Sequence, residues 1–163
     1  MKVPEGDWYC RRCEAIRKSE AAPESIICEL CGKGDGALKP TENKKWCHVL
    51  CALYIPEATF GDVQAMEPII LKNVQRDRFG RLCSICGKNT GACTQCGCSS
   101  ATNSGLVRGS SSCTTSFHVT CAQLRGWLCE LQIGGTTRYP AFCEEHVKTL
   151  KTSLKLKKLP IYK

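Results

Sequence analysis

Cys113-Thr-Thr-Ser-Phe-His118-Val-Thr-Cys121 is the stretch on which the fold turns. His118 and Cys121 are three apart, so on a helical turn they share a face and can reach one metal ion. Cys113 lies upstream, where an extended segment points it elsewhere, toward a second ion. One stretch feeding two metals ties two loops into one module. Outward from it lie Cys83-Ser-Ile-Cys86, the pair Cys93 and Cys96, and downstream Cys143-Glu-Glu-His146, from which the remaining ligands are drawn.

The chain has 163 residues and 15 cysteines. That cysteine usage fits either a disulfide scaffold or metal sites. The start, Met1-Lys-Val-Pro-Glu-Gly-Asp-Trp8, has no apolar core of a signal peptide, and no run approaches the roughly 18 apolar residues of a membrane span. The cysteines fall mostly in C-x-x-C pairs, and all three histidines stand at metal-ligand spacing from a cysteine. This pattern predicts zinc in a reducing compartment. Three Cys₃His sites convert nine thiols to thiolates and add three dications, so the formal charge of +8 becomes about +5 in the folded protein. Six lysines (Lys148, Lys151, Lys155, Lys157, Lys158, Lys163) follow His146 with no acid among them, a basic tail over 148–163.

Residues 1–20 carry Trp8-Tyr-Cys10-Arg-Arg-Cys13, an aromatic residue followed by a cysteine pair with no partner pair upstream. This is a half-site, read either as the end of a preceding finger or as a free dithiol on a basic arm. Over 25–72, Cys28, Cys31, His48 and Cys51 complete a four-ligand set with 16 residues between the pairs. That is a closed, structural site without the open position of a catalytic zinc. A helix is expected from His48 through Leu53, stopping before Pro56. Cys47 faces away as a buried filler, and Gly36, Ala37, Leu38 and Lys39 read as a short strand. Thr59 to Lys72 reads as strand and loop packed on the next unit. Gln75 to Arg81 is a basic connector with Arg76, Arg78 and Arg81. Residues 99–112, rich in Ser, Thr and Gly, read as a flexible loop inside the unit 82–147. Ala122 to Arg125 continues a helix ending at Gly126. Trp127 to Ile133 is strand-like, with a turn at Gly134-Gly135. Val147, Leu150 and Leu154 line one face of a helix that Pro160 ends.

Three complete sites need twelve ligands. The last eight divide in one of two ways. A sequential split gives Cys83, Cys86, Cys93 and Cys96 to one ion. A cross-braced split gives Cys83, Cys86, His118 and Cys121 to one, and Cys96, Cys113, Cys143 and His146 to the other. Spacing alone leaves both open. Each structural zinc supplies on the order of 10–16 kcal/mol of coupled folding free energy, beyond what a small core gives. Every histidine is spent on metal, so no general base remains and no catalytic constellation is expected. Cys93, Cys98 and Cys129 carry no activating pattern.

These motifs resemble a known family. Trp46-Cys-His-Val-Leu-Cys-Ala-Leu-Tyr-Ile-Pro-Glu57, Met66-Glu-Pro-Ile69, Gly91-Ala-Cys-Thr-Gln-Cys96, Phe117-His-Val-Thr-Cys-Ala-Gln123 and Phe142-Cys-Glu-Glu-His146 are similar to the zinc knuckle and second finger of the PHD–zinc-knuckle–PHD cassette, or extended PHD domain. Within it the sequence stands nearest the leukaemia-fusion-partner branch. The resemblance implies a small zinc-stabilised α+β fold: a knuckle, then a cross-braced PHD finger, with little regular secondary structure. It selects the cross-braced split, and it makes Cys10 and Cys13 the closing pair of a first finger. The gap from Cys96 to Cys113 is longer than the family's, and Cys98 within it is a candidate substitute ligand.

The resemblance also implies a non-catalytic, nuclear chromatin reader within a larger chromatin-modifying complex. Its partner would be the histone H3 tail, at an internal segment with unmodified lysine added as a strand beside Gly36, Ala37, Leu38 and Lys39. The alternative is double-stranded DNA or the nucleosome, with Arg76, Arg78, Arg81, Lys148, Lys151, Lys155, Lys157 and Lys158 on phosphates. No membrane partner is expected. A RING-like ubiquitin-ligase adaptor shares cross-braced zinc, but the Trp8-to-Cys13 ending and the knuckle argue against it.

Overall fold

The computed structural model describes residues 6–98, 113–153 and 157–158. The loop 99–112 and Leu154, Lys155, Pro160 and Lys163 lie outside them. Short elements alternate with turns. In order they are α1 (Arg11–Arg17), β1 (Leu38–Pro40), β2 (Trp46–His48), α2 (Val49–Tyr54), β3 (Thr59–Asp62), β4 (Glu67–Ile70), β5 (Cys93–Gln95), β6 (Ser116–His118), α3 (Val119–Arg125), β7 (Cys129–Ile133), β8 (Thr136–Arg138), α4 (Glu144–Ser153) and β9 (Lys157–Lys158). All but β7–β8–β9 pair as two-stranded ribbons. Helices and ribbons of this size are marginal alone, so tertiary ties must hold them.

The arrangement repeats. Cys28 and Cys83 each open a tight turn, with Gly32 N–H bonding Cys28 O at 2.8 Å and Gly87 N–H bonding Cys83 O at 2.9 Å. Both glycines take positive φ, 71° and 66°. Each turn hangs on a ribbon: Glu29 N–H bonds Trp46 O and Ser84 N–H bonds Ser116 O, both at 2.9 Å. In the ribbons, β1–β2 pairs Leu38 with His48 and β5–β6 pairs Cys93 with His118. Each ribbon then enters a helix at its histidine. α2 stops at Tyr54, before Pro56, and α3 closes on Gly126 in the left-handed region.

The two copies pack as one body. α2 lies against α3. Ala92 N–H bonds Leu30 O at 2.6 Å, and at the neighbouring Gly91 a Cβ would stand 2.8 Å from that oxygen. Tyr54 donates its hydroxyl to Cys129 O at 2.8 Å, and Thr94 Oγ1 donates to Tyr54 O at 2.9 Å. The core between them includes Leu30, Leu38, Ile55, Phe117, Leu128 and Phe142, with Phe117 edge-on to Trp127 at 5.2 Å.

Two expectations change here. The β3–β4 hairpin docks on its own unit, not the next. Thr41 bridges Ile69, Glu42 N–H bonds Ile69 O, and the Glu42 carboxylate takes the amides of Leu71 and Lys72. Arg11 of α1 grips Glu67 of that hairpin with two nitrogens. The last helix ends at Ser153, well short of Pro160, and Lys157–Lys158 then pairs antiparallel with Cys129–Glu130 of β7.

Candidate metal centres and the groove between them

Three clusters bring their donor atoms within 4.8 Å of one another: Cys28, Cys31, His48 and Cys51; Cys83, Cys86, His118 and Cys121; Cys96, Cys113, Cys143 and His146. The partition is the cross-braced one, and Cys93 and Cys98 stand outside it. Its cause is the β5–β6 ribbon. The ribbon ends in His118 for the second cluster, while Cys96 and Cys113 leave and enter it on the side of the third.

The clusters fit zinc. With Zn–S near 2.3 Å and Zn–N near 2.0–2.1 Å, tetrahedral edges are about 3.5–3.8 Å. His48 Nδ1 lies 3.3 Å from Cys31 Sγ and 3.8 Å from Cys51 Sγ. His118 Nδ1 lies 3.4 Å from Cys86 and 3.8 Å from Cys121. His146 Nδ1 lies 3.4 Å from Cys96 and 3.1 Å from Cys143. In each cluster a main-chain amide supports a sulfur: His48 N–H to Cys28 Sγ at 3.3 Å, His118 N–H to Cys83 Sγ at 3.4 Å, Cys143 N–H to Cys96 Sγ at 3.4 Å. Such bonds stabilise thiolate. The ring of His48 is also aimed by its Nε2 on Asp35 O, which leaves Nδ1 for metal.

Titration follows the same lines at some ligands and not at others: burial lowers the His48 ring, but hydrogen bonds to Cys28 and Cys31 outweigh it and raise it to about 10. The Cys28 thiol is driven far down by hydrogen bonds from Cys31, Cys47 and Cys51. At Cys83, burial raises the thiol but the amides of His118, Cys86 and Ile85 outweigh it, so the net shift is down. Burial lowers His118, and the Lys33 ammonium lowers it further, keeping the neutral ring that metal requires. Burial pushes Cys121 up, to about 12, and Cys96 up as well. A dication is what makes thiolates of them. Cys47 is fully buried 3.8 Å from Cys28 Sγ. Its thiol is pushed far up, first by that hydrogen bond and then by burial, so it remains a protonated donor and no ligand.

Cys10 and Cys13 stand together, Sγ to Sγ 3.6 Å, with no third donor grouped with them among the described residues. Leu38 is core and Lys39 is tied to Ala65 O and Glu67, so of the strand expected to meet a peptide only Gly36 and Ala37 are exposed. Arg78 is corrected outright as a phosphate contact. It is buried, forked onto Glu57 at 2.6 and 2.7 Å and bonded to Cys93 O at 3.2 Å, because the connector must fasten α2's end to β5. Arg76 remains exposed and Arg81 half-buried, while Lys148 pairs with Glu144 at 2.7 Å. The side chains of Lys151, Lys157 and Lys158 lie outside the described ones.

Sequence reasoning missed a groove of about 760 Å³ between the two copies. Asp35, Ala37, Leu50, Leu53, Leu124 and Glu130 line it. Leu124 is 56 % exposed although it sits in a short helix beside the core. The signal was that leucine pattern on α2 and α3, which periodicity alone assigns to core.

A cross-braced finger with a closed knuckle fused to it defines the class, a zinc-stabilised finger module. The PHD-zinc-finger-like domain model matches residues 26–146, and the chain belongs to that family. It is 41 % identical to Zinc finger protein zfp-1 of Caenorhabditis elegans over 98 % of this chain and 18 % of that protein. It is 38 % identical to human E3 ubiquitin-protein ligase Jade-2 over 90 % of this chain and 17 % of that protein. The chain thus spans less than a fifth of these relatives. The crystal structure of the zebrafish PHF14-PZP matches 85 % of this chain and 69 % of its own, at 34 % identity and a TM-score of 0.61.

Proposed function

We propose that this chromatin-associated zinc-finger module reads the histone H3 tail, at an internal segment whose lysine is unmodified. We divide the chain into a first-finger remnant (1–20), a knuckle (25–72), an extended PHD finger (82–147) and a basic tail (148–163). One observation carries the reading: the groove between knuckle and finger has leucine walls and two carboxylates, Asp35 and Glu130. Neither forms a salt bridge among the described residues. A lysine puts its methylene stem on apolar walls and its ammonium on a carboxylate. Methyl groups remove ammonium donors and add bulk, which opposes that fit. Gly36 and Ala37, exposed at the rim, support an extended peptide, with the Ala37 carbonyl already taking the Val49 N–H at 3.4 Å. Location in the nucleus and membership of a larger chromatin-modifying complex belong to the same reading.

The test is fluorescence anisotropy with unmodified H3 peptides covering the extreme N-terminus and the internal segment. Saturable binding of the internal peptide is expected, weakened by trimethylation of its lysine and by Glu130→Gln. Binding indifferent to both changes overturns the reading. Duplex DNA is the second reading, supported by Arg76, Arg81 and the lysine tail. Its mark is affinity that falls steeply with salt and ignores sequence. The ubiquitin-ligase name of Jade-2 adds a control: chain formation by this protein with ubiquitin-conjugating enzymes contradicts a non-catalytic role.

A further inference from the structure

We propose that the chain carries its own competitor: the Lys157–Lys158 strand occupies the edge of β7 beside the groove, and a basic peptide must displace it. The inference rests on the histone reading for the identity of the displaced-for ligand, but the occupancy of the edge stands on geometry.

β7 has β8 on one side and β9 on the other. The β9 pairing sets Glu130 opposite Lys157 and Cys129 opposite Lys158. Cys129 turns its main chain to the other edge. Its N–H goes to Pro140 O at 2.9 Å and its carbonyl receives the Tyr54 hydroxyl at 2.8 Å. In a strand, alternate residues turn their main-chain groups to opposite edges. The polar edge that β9 covers is therefore that of Glu130, a residue that also lines the groove. Without β9 this is an open strand edge next to a carboxylate and leucine walls, the combination that captures extended lysine-bearing peptides.

The tail has the chemistry of such a peptide. Lys148 to Lys163 contains six lysines and no acid, and Leu154-Lys-Leu-Lys157 alternates like an extended basic segment. Only Leu154, Lys155 and Leu156 separate β9 from the end of α4. A tether that short gives an effective concentration in the millimolar range, enough for a weak strand to compete with a free peptide. If the tail covers the edge about 70–90 % of the time, the apparent affinity of a peptide for that edge falls by about threefold to tenfold.

The experiment compares three forms of this 163-residue chain: unchanged, Lys157→Pro and Lys157→Gln. Proline removes the main-chain donor opposite Glu130, whereas glutamine removes the same charge and leaves the strand. Two readouts are taken: amide hydrogen exchange at Glu130, and anisotropy of the unmodified internal H3 peptide. Lys157→Pro should speed exchange at Glu130 and tighten peptide binding, each by about threefold to tenfold. Lys157→Gln should keep the slow exchange and change binding by less than about twofold. Unchanged exchange in Lys157→Pro overturns the proposal, as does an equal gain from glutamine, which would make the effect one of charge alone. If none of the chains binds peptide while Glu130 still responds to proline, the tail is a cap of β7 and the histone reading is what fails.

Discussion

Residues 28–51 and 83–121 are the same device built twice, and they differ in what is inserted between the metal pairs. In the first, Cys31 and His48 are joined by a compact turn and the β1–β2 ribbon, and the site closes on itself. In the second, Cys96 and Cys113 interrupt the path from Cys86 to His118, and both belong to another ion. The same ribbon geometry thus yields an independent knuckle in one copy and a shared strut in the other. A shared strut couples two metals, and the comparison can be broken by losing one ligand from each copy.

The largest effect expected is from the histidines. His48→Ala should leave a chain holding two zinc ions. His118→Ala should leave fewer than two, because β6 also positions Cys113. Zinc counted by mass spectrometry on purified protein decides this, and equal losses would end the idea of coupling. Each site lost removes on the order of 10–16 kcal/mol of coupled folding free energy. Acid should act in the same direction. The folded Cys83 thiol lies below its ordinary value, so its stabilisation is present at higher pH and lost as pH falls. Zinc release on lowering pH, followed with a chromogenic chelator, is the measurement.

Next come the positions before each histidine. Phe117 and Cys47 are both fully buried at the same place in their ribbons. Phe117→Ala should cost about 3–5 kcal/mol through the cavity it leaves. Arg78→Met should cost a similar ~3–5 kcal/mol by stranding Glu57, with no change in the salt dependence of any DNA binding. Tyr54→Phe, which removes the hydroxyl's bond to Cys129 O between the two copies, should cost about 0.5–1.5 kcal/mol. All three are read from denaturant midpoints of the zinc-loaded protein. The smallest effect is Cys47→Ala, which should retain all three zinc ions. A chain that drops to two would make Cys47 a ligand after all.

Much of this was legible in the residues. The ligand types, their pairing at three-residue spacing and the helix stops at Pro56 and Gly126 are local facts, and local rules read them. The repeat was legible too: Cys-x-x-Cys-Gly-Lys occurs at 28–33 and 83–88, and His-Val-x-Cys-Ala at 48–52 and 118–122. The fate of Arg78 was not. A run of arginines in a polar connector looks solvated until Glu57 and the Cys93 carbonyl are brought to it from 21 and 15 residues away.

By itself, then, the sequence determined that this is a three-zinc module, because metal chemistry admits few donors and the spacing offers ten of the twelve in close pairs, with Cys96 and Cys113 standing apart. Which pair shares an ion with which was decided by the β5–β6 ribbon, with the family resemblance anticipating it. Only the tertiary structure decided that two copies face each other across a groove, that Glu130 lies in it, and that the tail's Lys157–Lys158 reaches the neighbouring edge. Those depend on where rigid pieces meet, which no local spacing encodes.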